Sequence, residues 1–262
     1  MKKCDMVDQV VMISGVTGQI GQSLVTAVLE RGGRVLGLDV KLPEIRKVTD
    51  SLSWDKDRIL MVESDISVRS DVISAFNSGV DRFGRITAQV NNAGVSTFAP
   101  WFMRTDEEFD MVMDINLKGT FNCIKVFLES FIDKEGKGSI VNIASHYGII
   151  SPDPRIYTDL ARRSPEVYGA SKAGVIQMTK YFAVNAVADG ADVRVNAVAP
   201  GGVRNPWDPQ GPDFQRLYGE RCPMKRMAEI DEIIGPALFL LSDEASYVNG
   251  HTLVVDGGMT AW

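Results

Sequence analysis

The chain has 262 residues, of which 45% are hydrophobic and 24% are charged, as in an ordinary soluble globular protein. Its formal net charge of -6 argues against a polyanionic partner such as nucleic acid, because such a partner requires a basic surface. The first apolar run, residues 10–13, is far too short for a signal peptide or a membrane span. We therefore expect a cytoplasmic protein with no membrane partner.

Potential metal ligands and disulfide partners are scarce in the sequence. Cys4, Cys123 and Cys222 are widely spaced, and only two histidines are present, His146 and His251. Because a metal site needs several ligands close together, we expect no bound metal. Because histidine is so scarce, proton transfer is expected to use a different group.

Short apolar runs alternate with longer amphipathic segments along the chain. The predicted strands are 10–13, 34–39, 59–62, 88–91, 139–144, 193–199 and 253–255. The predicted helices are 21–31, 70–83, 105–133, 166–188 and 229–241, the third of which begins with a capping box at Thr105. This alternation, with strands that are almost entirely apolar, predicts one α/β domain over residues 1–262. Its doubly wound, seven-stranded parallel sheet is expected to have helices on both faces.

Two segments interrupt the alternation, and each follows a predicted strand. Segment 151–165 contains three prolines, and segment 201–223 contains four prolines and four glycines, so both are expected to be largely loops. In an open α/β sheet, ligands bind outside the carboxyl ends of the strands. We therefore expect both segments to lie on the substrate side of the sheet.

The first predicted strand leads into a glycine-rich turn, residues 14–21, that opens a helix. Glycines allow a tight turn and a close approach to a pyrophosphate, whose charge suits a helix N-terminus. Asp39 follows Gly21 by 18 residues, at the end of the second strand. A carboxylate there binds the adenosine ribose hydroxyls and repels a 2′-phosphate, which predicts NAD rather than NADP. A close strand–helix turn without a ligand and a solvated aspartate are the alternatives.

Further segments, together with these two, resemble the short-chain dehydrogenase/reductase family from the first strand to Gly258. They are Asp65-Ile66, Asn91-Asn92-Ala93-Gly94, Pro200-Gly201 and the stretches 247–250 and 255–258. The resemblance implies a Rossmann fold and a nicotinamide cofactor. It also implies these cofactor-binding residues: Gly15, Gln19, Ile20, Gly21, Asp39, Asp65, Ile66, Asn92, Ala93, Gly94, Tyr168, Lys172, Pro200, Val203 and Asn205.

Two residues depart from the family pattern. The classical turn, TGxxxGxG, would have glycine where this chain has Gln19, and glycine is found instead at Gly18, as in the extended branch. Only about 60 residues follow Pro200, whereas extended members usually have a larger substrate domain. Since the NNAG motif is also the classical form, we assign the chain to the classical branch. Asn205 stands where the family usually has threonine.

Tyr168 and Lys172 are four residues apart in a predicted helix and therefore share one face. An ammonium stabilises a nearby phenolate, so we expect Lys172 to lower the pKa of Tyr168 toward the working pH. Tyr168 is then a candidate general base for alcohol oxidation and general acid for carbonyl reduction. By the resemblance, Ser145 would hold the substrate oxygen, and Asn116 would kink its helix and hold a proton-relaying water. A surface Tyr–Lys pair and a solvent-facing Asn116 are the alternatives.

The spacing between Ser145 and Tyr168 is 23 residues, roughly ten more than is usual in the family, so an insertion is expected over the pocket. Arginine forks suit carboxylate or phosphate groups. The two loops carry the candidates Arg155, Arg162, Arg163, Arg204 and Arg216. These predict a polar or anionic substrate, such as a sugar derivative. The alternative is a solvated loop whose arginines pair with neighbouring carboxylates.

Residues and resemblance together predict an NAD(H)-dependent oxidoreductase that interconverts a secondary alcohol and a ketone of a small molecule. Two alternatives stay open, namely a 3-oxoacyl-carrier-protein reductase using NADPH and a catalytically idle nucleotide-sensing protein. The resemblance also implies a homotetramer or homodimer built through the long fourth and fifth helices and the C-terminal segment. The apolar residues Met111, Phe121, Phe127, Phe131, Val175 and Met178 fit either such an interface or the core.

Overall fold

The computed structural model describes residues 5–52, 54–98, 100–158, 163–207 and 210–262. Its strands are β1 (Val10–Ser14), β2 (Arg34–Asp39), β3 (Ile59–Glu63), β4 (Ala88–Asn91), β5 (Gly138–Ile143), β6 (Val193–Pro200) and β7 (Thr252–Val255). They form one sheet in the order β3-β2-β1-β4-β5-β6-β7, and every neighbouring pair is parallel. The predicted α/β fold with a doubly wound, seven-stranded parallel sheet is confirmed.

Helices cover both faces of this sheet. The α-helices of the described residues are α1 (Gln19–Glu30), α2 (Leu42–Ser51), α3 (Arg69–Phe83), α4 (Asp106–Met113), α5 (Thr120–Glu129), α6 (Glu166–Ala188), α7 (Pro212–Arg221) and α8 (Asp231–Leu241). Buried side chains of α1 and α8 form the core on one face. Those of α3, α5 and α6 form the core on the other face.

Strand β1 shows why the strands are apolar throughout. Val11 and Ile13 pack into the core beside α1 and α8, whereas Val10 and Met12 pack into the opposite core. Successive side chains of a strand point to opposite faces, so a strand covered on both sides buries all of them. All residues of β1 are indeed buried, which explains its uninterrupted apolar run.

The single helix expected over 105–133 is a series of shorter helices. Thr105 caps α4 and forms the predicted capping box with Glu108. A π-helical turn, Asp114–Gly119, then separates α4 from α5, and such turns are frequent at functional sites. The prediction is also too long at its end, because α5 stops at Glu129 and Asp133 has a φ of 54°, outside the helical region.

Two α-helices of the described residues lie where the sequence pattern predicts none. One is α2, and the other is α7, which corrects the expectation that segment 201–223 is a loop. Pro212 is the first residue of α7, a position where the missing proline N–H would be unpaired in any case. Segment 151–165 agrees with the expectation in its described part, with one short 3₁₀ turn at Pro154–Ile156. No helix of the described ranges is long and apolar enough to cross a membrane.

Candidate active site

The first of two adjoining cavities opens at the carboxyl ends of the strands. Between β1 and β4 the order of the strands reverses, and such a switch point is where doubly wound sheets bind ligands. The cavity has a volume of about 700 Å³. Of the residues predicted to bind the cofactor, it is lined by Gly15, Gln19, Ile20, Asp39, Asp65, Ile66, Asn92, Ala93, Gly94, Tyr168, Lys172, Pro200 and Val203.

The turn after β1 depends on two glycines. Gly15 has a φ of +70°, and a Cβ there would lie 2.7 Å from Cα of Ala93. A Cβ on Gly21 would lie 2.1 Å from the carbonyl oxygen of Gly15, so Gly21 allows α1 to pack onto the turn without lining the cavity itself. This packing brings the first residues of α1 to the cavity, where unpaired N–H groups favour an anion such as a phosphate.

Asp39, the last residue of β2, is held in place by the glycine-rich turn. Its Oδ2 accepts hydrogen bonds from the backbone N–H and the hydroxyl of Thr17, at 3.0 and 2.8 Å. Its Oδ1 accepts a hydrogen bond from the N–H of Val40, at 2.9 Å. Sequence reasoning did not single out Thr17, for which the only available signal is its position inside the turn. The neighbouring Lys41 also lines the cavity and pairs with Glu44 at 3.3 Å.

Gln19, the residue in place of the family glycine, connects this turn to the chain after β6. Its Nε2 donates a hydrogen bond to the carbonyl oxygen of Arg204 at 2.7 Å. The residues on either side of Arg204 line the two cavities, Val203 the first and Asn205 the second. The departure from the family pattern therefore adds a contact between two loops of the site.

Tyr168, Ser145 and Lys172 meet where the two cavities join. Tyr168 and Lys172 are carried by α6, and Ser145 follows the end of β5. The hydroxyl of Tyr168 is hydrogen-bonded to that of Ser145. Nζ of Lys172 donates to the carbonyl oxygen of Ile143 at 2.8 Å and lies 5.7 Å from the centre of the Tyr168 ring. Both Tyr168 and Ser145 line both cavities.

Burial dominates the ionisation of this pair. It lowers the pKa of Lys172 to about 8, because the ammonium loses its hydration. It also raises the pKa of Tyr168, and this effect outweighs the hydrogen bond from Ser145, which acts in the opposite direction. The pKa of Tyr168 is therefore shifted upward, whereas a neighbouring ammonium alone would shift it downward, because burying a phenolate is itself costly.

Asn116 lies in the π-helical turn, is buried, and lines neither cavity. Its Oδ1 accepts from the N–H of Val95 at 2.8 Å. Its Nδ2 donates to the carbonyl oxygen of Val95 at 2.9 Å and to Oγ of Ser171 at 3.1 Å. Asn116 thus holds the chain after Gly94 against α6, which excludes the solvent-facing alternative, and the expected kink takes the form of the π-helical turn.

The second cavity has a volume of about 520 Å³ and adjoins the first. It shares with the first cavity the lining residues Gly94, Val95, Ser145, Tyr168 and Gly201. Much of its wall is aromatic: Phe98, His146, Tyr147, Tyr157, Phe214 and Tyr218. Burial lowers the pKa of His146, whose ring is therefore neutral near pH 7. Asp213 is then the only charged side chain among the lining residues that the structure describes.

The contribution of Tyr147 and Tyr157 is not visible in the sequence. Both are poor candidates for the proton-transferring tyrosine, because Ser151 and Ala161 stand four residues after them instead of lysine. The structure nevertheless brings their hydroxyl oxygens to 2.7 Å from each other in the wall of the second cavity. The N–H of Tyr147 also donates to Oγ of Ser145 at 3.1 Å. Only the closeness of Tyr147 to Ser145 in the chain could have indicated its place.

Two of the arginines predicted to contact substrate are paired with carboxylates outside the second cavity. Arg155 is 80% exposed and binds the carboxylate of Asp153, with a shortest N···O distance of 2.6 Å. Arg204 binds Glu229 at 2.8 Å. Neither arginine lines the second cavity. Their placement matches the alternative of loop arginines that are neutralised by neighbouring acidic residues.

Arg216, on α7, also falls outside the cavity wall and binds Glu220 at 2.7 Å. Arg163 lines a separate groove beside Trp101 and not the second cavity, although its charge lies close enough to act against the burial that raises the pKa of Tyr157. Arg162 lies outside the described residues. The structure thus brings the predicted proton-transfer residues together, but it does not gather the described arginines around them.

The chain is similar to known reductases and dehydrogenases over nearly its whole length. The chain matches a family model described as Enoyl-(Acyl carrier protein) reductase over residues 15–260. It is 33% identical over 255 residues to the 3-oxoacyl-[acyl-carrier-protein] reductase FabG of Thermotoga maritima, covering 96% of this chain and 97% of that protein. It is 31% identical over 261 residues to the 2-(R)-hydroxypropyl-CoM dehydrogenase of Xanthobacter autotrophicus, covering 97% and 99%.

A solved structure is similar over the same extent. A short chain dehydrogenase from Leptospira borgpetersenii serovar Hardjo-bovis with bound NAD⁺ has a TM-score of 0.87 and 36% sequence identity, covering 98% of this chain and 94% of that chain. The family resemblance inferred from the motifs is thereby confirmed. The chain belongs to the short-chain dehydrogenase/reductase family and is an oxidoreductase that uses a nicotinamide cofactor.

Proposed function

We propose that the protein is an NAD(H)-dependent oxidoreductase that interconverts a secondary alcohol and a ketone, with Tyr168 as the proton-transferring residue. The observation that carries this proposal is the position of Tyr168 and Ser145 at the junction of the two cavities. The first cavity has the lining expected for a dinucleotide, and the second leaves room for a substrate. A substrate in the second cavity therefore reaches Tyr168 at the point where the cofactor cavity begins.

In the oxidation direction, the substrate alcohol gives up a hydride and a proton. The nicotinamide supplies the hydride acceptor when it is bound. The hydroxyl of Ser145 holds the substrate oxygen, and Tyr168, as phenolate, accepts the proton. The ammonium of Lys172 stabilises that phenolate, and its hydrogen bond to Ile143 holds the amine in place. In the reduction direction, Tyr168 returns the proton to the developing alkoxide.

Asp39 supports NAD(H) as the cofactor rather than NADP(H). Its carboxylate lines the first cavity and is held by Thr17 and Val40 at the end of β2, where it would repel a 2′-phosphate. Lys41 lines the same cavity and would attract such a phosphate, but it already pairs with Glu44. The NAD⁺ bound by the relative from Leptospira borgpetersenii agrees with this choice.

For the substrate, we propose a polar and uncharged compound, such as a neutral sugar derivative, rather than an anion. Among the described residues of the second cavity, the one charged side chain is the carboxylate of Asp213, which pairs with Arg216 at 3.8 Å, so this part of the wall offers no cation to an anionic substrate. Arg155 and Arg204 have carboxylate partners outside the cavity. The sequence expectation of a polar substrate is therefore kept, and that of an anionic one is not.

Cofactor titration tests this proposal directly. NADH and NADPH are titrated by thermal shift and fluorescence into the wild type and the Asp39→Ala variant. We expect at least about tenfold tighter binding of NADH by the wild type, and a preference below about threefold in Asp39→Ala, because a charged hydrogen-bonding group is lost. A wild-type preference for NADPH would overturn the choice of cofactor.

A second candidate function follows from the relationship to FabG of Thermotoga maritima. It is the reduction of a 3-oxoacyl group on an acidic carrier protein with NADPH. Preference for NADPH, together with turnover of a 3-oxoacyl thioester, would establish it. Thermal stabilisation by NAD without turnover of either substrate class would instead indicate a catalytically idle nucleotide-binding protein.

A further inference from the structure

The hydroxyl groups of Tyr147 and Tyr157 form a hydrogen-bonded pair in the wall of the second cavity, with an O···O distance of 2.7 Å. The hydroxyl of Tyr157 also accepts a hydrogen bond from the backbone N–H of Ser164. Burial raises the pKa of both tyrosines. Both side chains are therefore neutral phenols near pH 7, each with one O–H to donate.

The donors of this pair can be counted. Each phenol offers one O–H and accepts through its oxygen lone pairs. One O–H is used inside the pair, whichever way that bond runs, and Ser164 brings a donor rather than an acceptor. Among the contacts of the described residues, neither hydroxyl has a further accepting partner. Within the described part of the chain, one O–H of the pair is thus left to donate to a molecule in the cavity.

This donor lies in the same cavity as the proton-transfer residues. Ser145, Tyr147, Tyr157 and Tyr168 all line it, and the N–H of Tyr147 is anchored on Oγ of Ser145 at 3.1 Å. A substrate whose reacting oxygen is held by Ser145 and Tyr168 therefore faces a second polar contact within one cavity. The charge of Tyr168 interacts with those of Tyr147 and Tyr157, which puts the pair close to the reacting site and suits a compound with a second oxygen near the reacting one.

The remaining wall is suited to the flat face of a ring. The ring centroids of Tyr157 and Phe214 are 5.4 Å apart, and those of Phe214 and Tyr218 are 6.0 Å apart. Such neighbouring aromatic faces contact apolar C–H surfaces, while polar groups fix the orientation of the ligand. Tyr157 belongs to segment 151–165, and Phe214 and Tyr218 belong to α7. The wall therefore forms only because these two segments pack against each other.

We propose that the Tyr147–Tyr157 hydroxyl pair determines substrate specificity by donating a hydrogen bond to a second oxygen atom of the substrate. The substrate class is an uncharged ring compound that carries a hydroxyl, ether or carbonyl oxygen beside the reacting carbinol. The inference rests on the proposed function and narrows its substrate. It also gives the insertion a role, which is to deliver Tyr157 to the cavity.

The test compares two ring alcohols that differ in one oxygen, trans-cyclohexane-1,2-diol and cyclohexanol, with NAD⁺. We expect the wild type to prefer the diol in kcat/KM by about tenfold or more, because a buried donor is left unpaired by cyclohexanol. Tyr147→Phe and Tyr157→Phe each retain one O–H, so each lowers this preference by less than about threefold. The double variant loses both O–H groups and lowers it by about tenfold or more.

The matched control is Tyr247→Phe, which removes a phenol oxygen from a fully exposed side chain that lines neither cavity. It should leave the preference and the melting temperature unchanged. A preference for the diol that survives in the double variant would overturn the inference. Equal losses for both alcohols with a lower melting temperature would also overturn it, because they indicate a purely structural pair. No NADH formation from either alcohol by the wild type would instead contradict the proposed function.

Discussion

Lys172 is a buried amine that no carboxylate of the described residues pairs with, and its hydrogen-bond partner is the carbonyl oxygen of Ile143. The lowering of its pKa from 10.5 to about 8 corresponds to roughly 3 kcal/mol of lost stability when it is protonated. Because the folded pKa lies below the unfolded one, this loss is complete below pH 8. It shrinks between pH 8 and 10.5, where the unfolded chain holds the additional proton.

Replacement of this lysine by methionine should therefore stabilise the protein while abolishing its activity. Lys172→Met removes the buried charge but also the hydrogen bond to Ile143, so about 1–2 kcal/mol of net stabilisation remains at pH 7. For a chain of this size we expect the melting temperature to rise by roughly 2–6 °C. Thermal scans from pH 7 to 9.5 should show the difference shrinking as pH rises. A melting temperature below that of the wild type at pH 7 would contradict this account.

Tyr168 is expected to affect chemistry much more than cofactor binding. Tyr168→Phe keeps the ring at the junction of the cavities but removes the group that exchanges a proton with the substrate. We expect kcat to fall by about 10²- to 10⁴-fold, the usual contribution of general acid–base catalysis. The Kd for NADH should change by less than about threefold, the effect of one neutral hydrogen bond at most. Steady-state kinetics and a binding titration measure the two, and equal losses in both would contradict the assigned role.

At the scale of elements, the strands are the best-predicted part of the fold. The ranges expected for β2 and β4 match their observed bounds, those for β1, β3, β6 and β7 differ by one residue at one end, and that for β5 is shifted by one residue. The reason is burial on both faces, which removes polar residues from a strand such as β1 and leaves a clear apolar run. Strand order could not be read in the same way, because it depends on which helices cover which face.

The helices are predicted less well where sequence signals conflict. α7 lies among four prolines and four glycines of segment 201–223, which favour a loop, and packing of Tyr218 into a small core stabilises it instead. The apolar periodicity of 105–133 continues through the π-helical turn, so the sequence does not reveal that interruption. Local patterns thus missed elements whose stability comes from tertiary contacts.

The Gln19 contact is an element-scale feature with a testable consequence. Gln19→Ala removes the hydrogen bond from the glycine-rich turn to the carbonyl oxygen of Arg204. One such bond contributes about 1 kcal/mol, so we expect the chain after β6 to open roughly fivefold more often. Trypsin cleavage after Arg204, followed by mass spectrometry, measures this opening.

The control for this experiment is Gln177→Ala, which truncates an exposed glutamine of α6. It should leave the cleavage rate at Arg204 unchanged. An equal rate in Gln19→Ala and the wild type would show that the contact does not restrain the loop. In that case, the glutamine would be only a tolerated replacement for the family glycine.

Within the site, too, some residues could be located from the sequence and others could not. The cofactor residues cluster in short motifs at strand ends, such as Asp39 and Asn92-Ala93-Gly94, so their positions follow from the sheet. The wall of the second cavity joins Tyr157, Phe214 and Phe98, which come from three separate segments. Nothing in their sequence spacing brings these side chains together, because loop packing alone decides it. For this reason, the sequence predicted the arginines, and not Tyr147 or Tyr157, as substrate contacts.

An apolar stripe on the outer surface bears on the expected oligomer. Of the apolar residues considered for an interface, Phe127, Phe131 and Val175 are buried in the core, whereas Met111 and Phe121 are exposed. Phe121 lies on α5. The neighbouring α6 extends the stripe with three exposed side chains: Tyr181, Val184 and Val187. Contiguous exposed apolar surface of this kind is typical of an interface between subunits. We therefore expect the chain to form a homodimer or homotetramer through α5 and α6.

A charge placed in this stripe should separate the subunits. Val184 is 69% exposed, so Val184→Asp is harmless to a monomer but leaves an unpaired carboxylate buried in an interface, which weakens association by about tenfold or more. Light scattering at micromolar concentration should show an oligomer for the wild type and a smaller species for the variant. Ile73→Asp, at a site on α3 that is 41% exposed, is the matched control and should keep the wild-type mass. A monomeric wild type, or an unchanged mass for Val184→Asp, would place the stripe outside any interface.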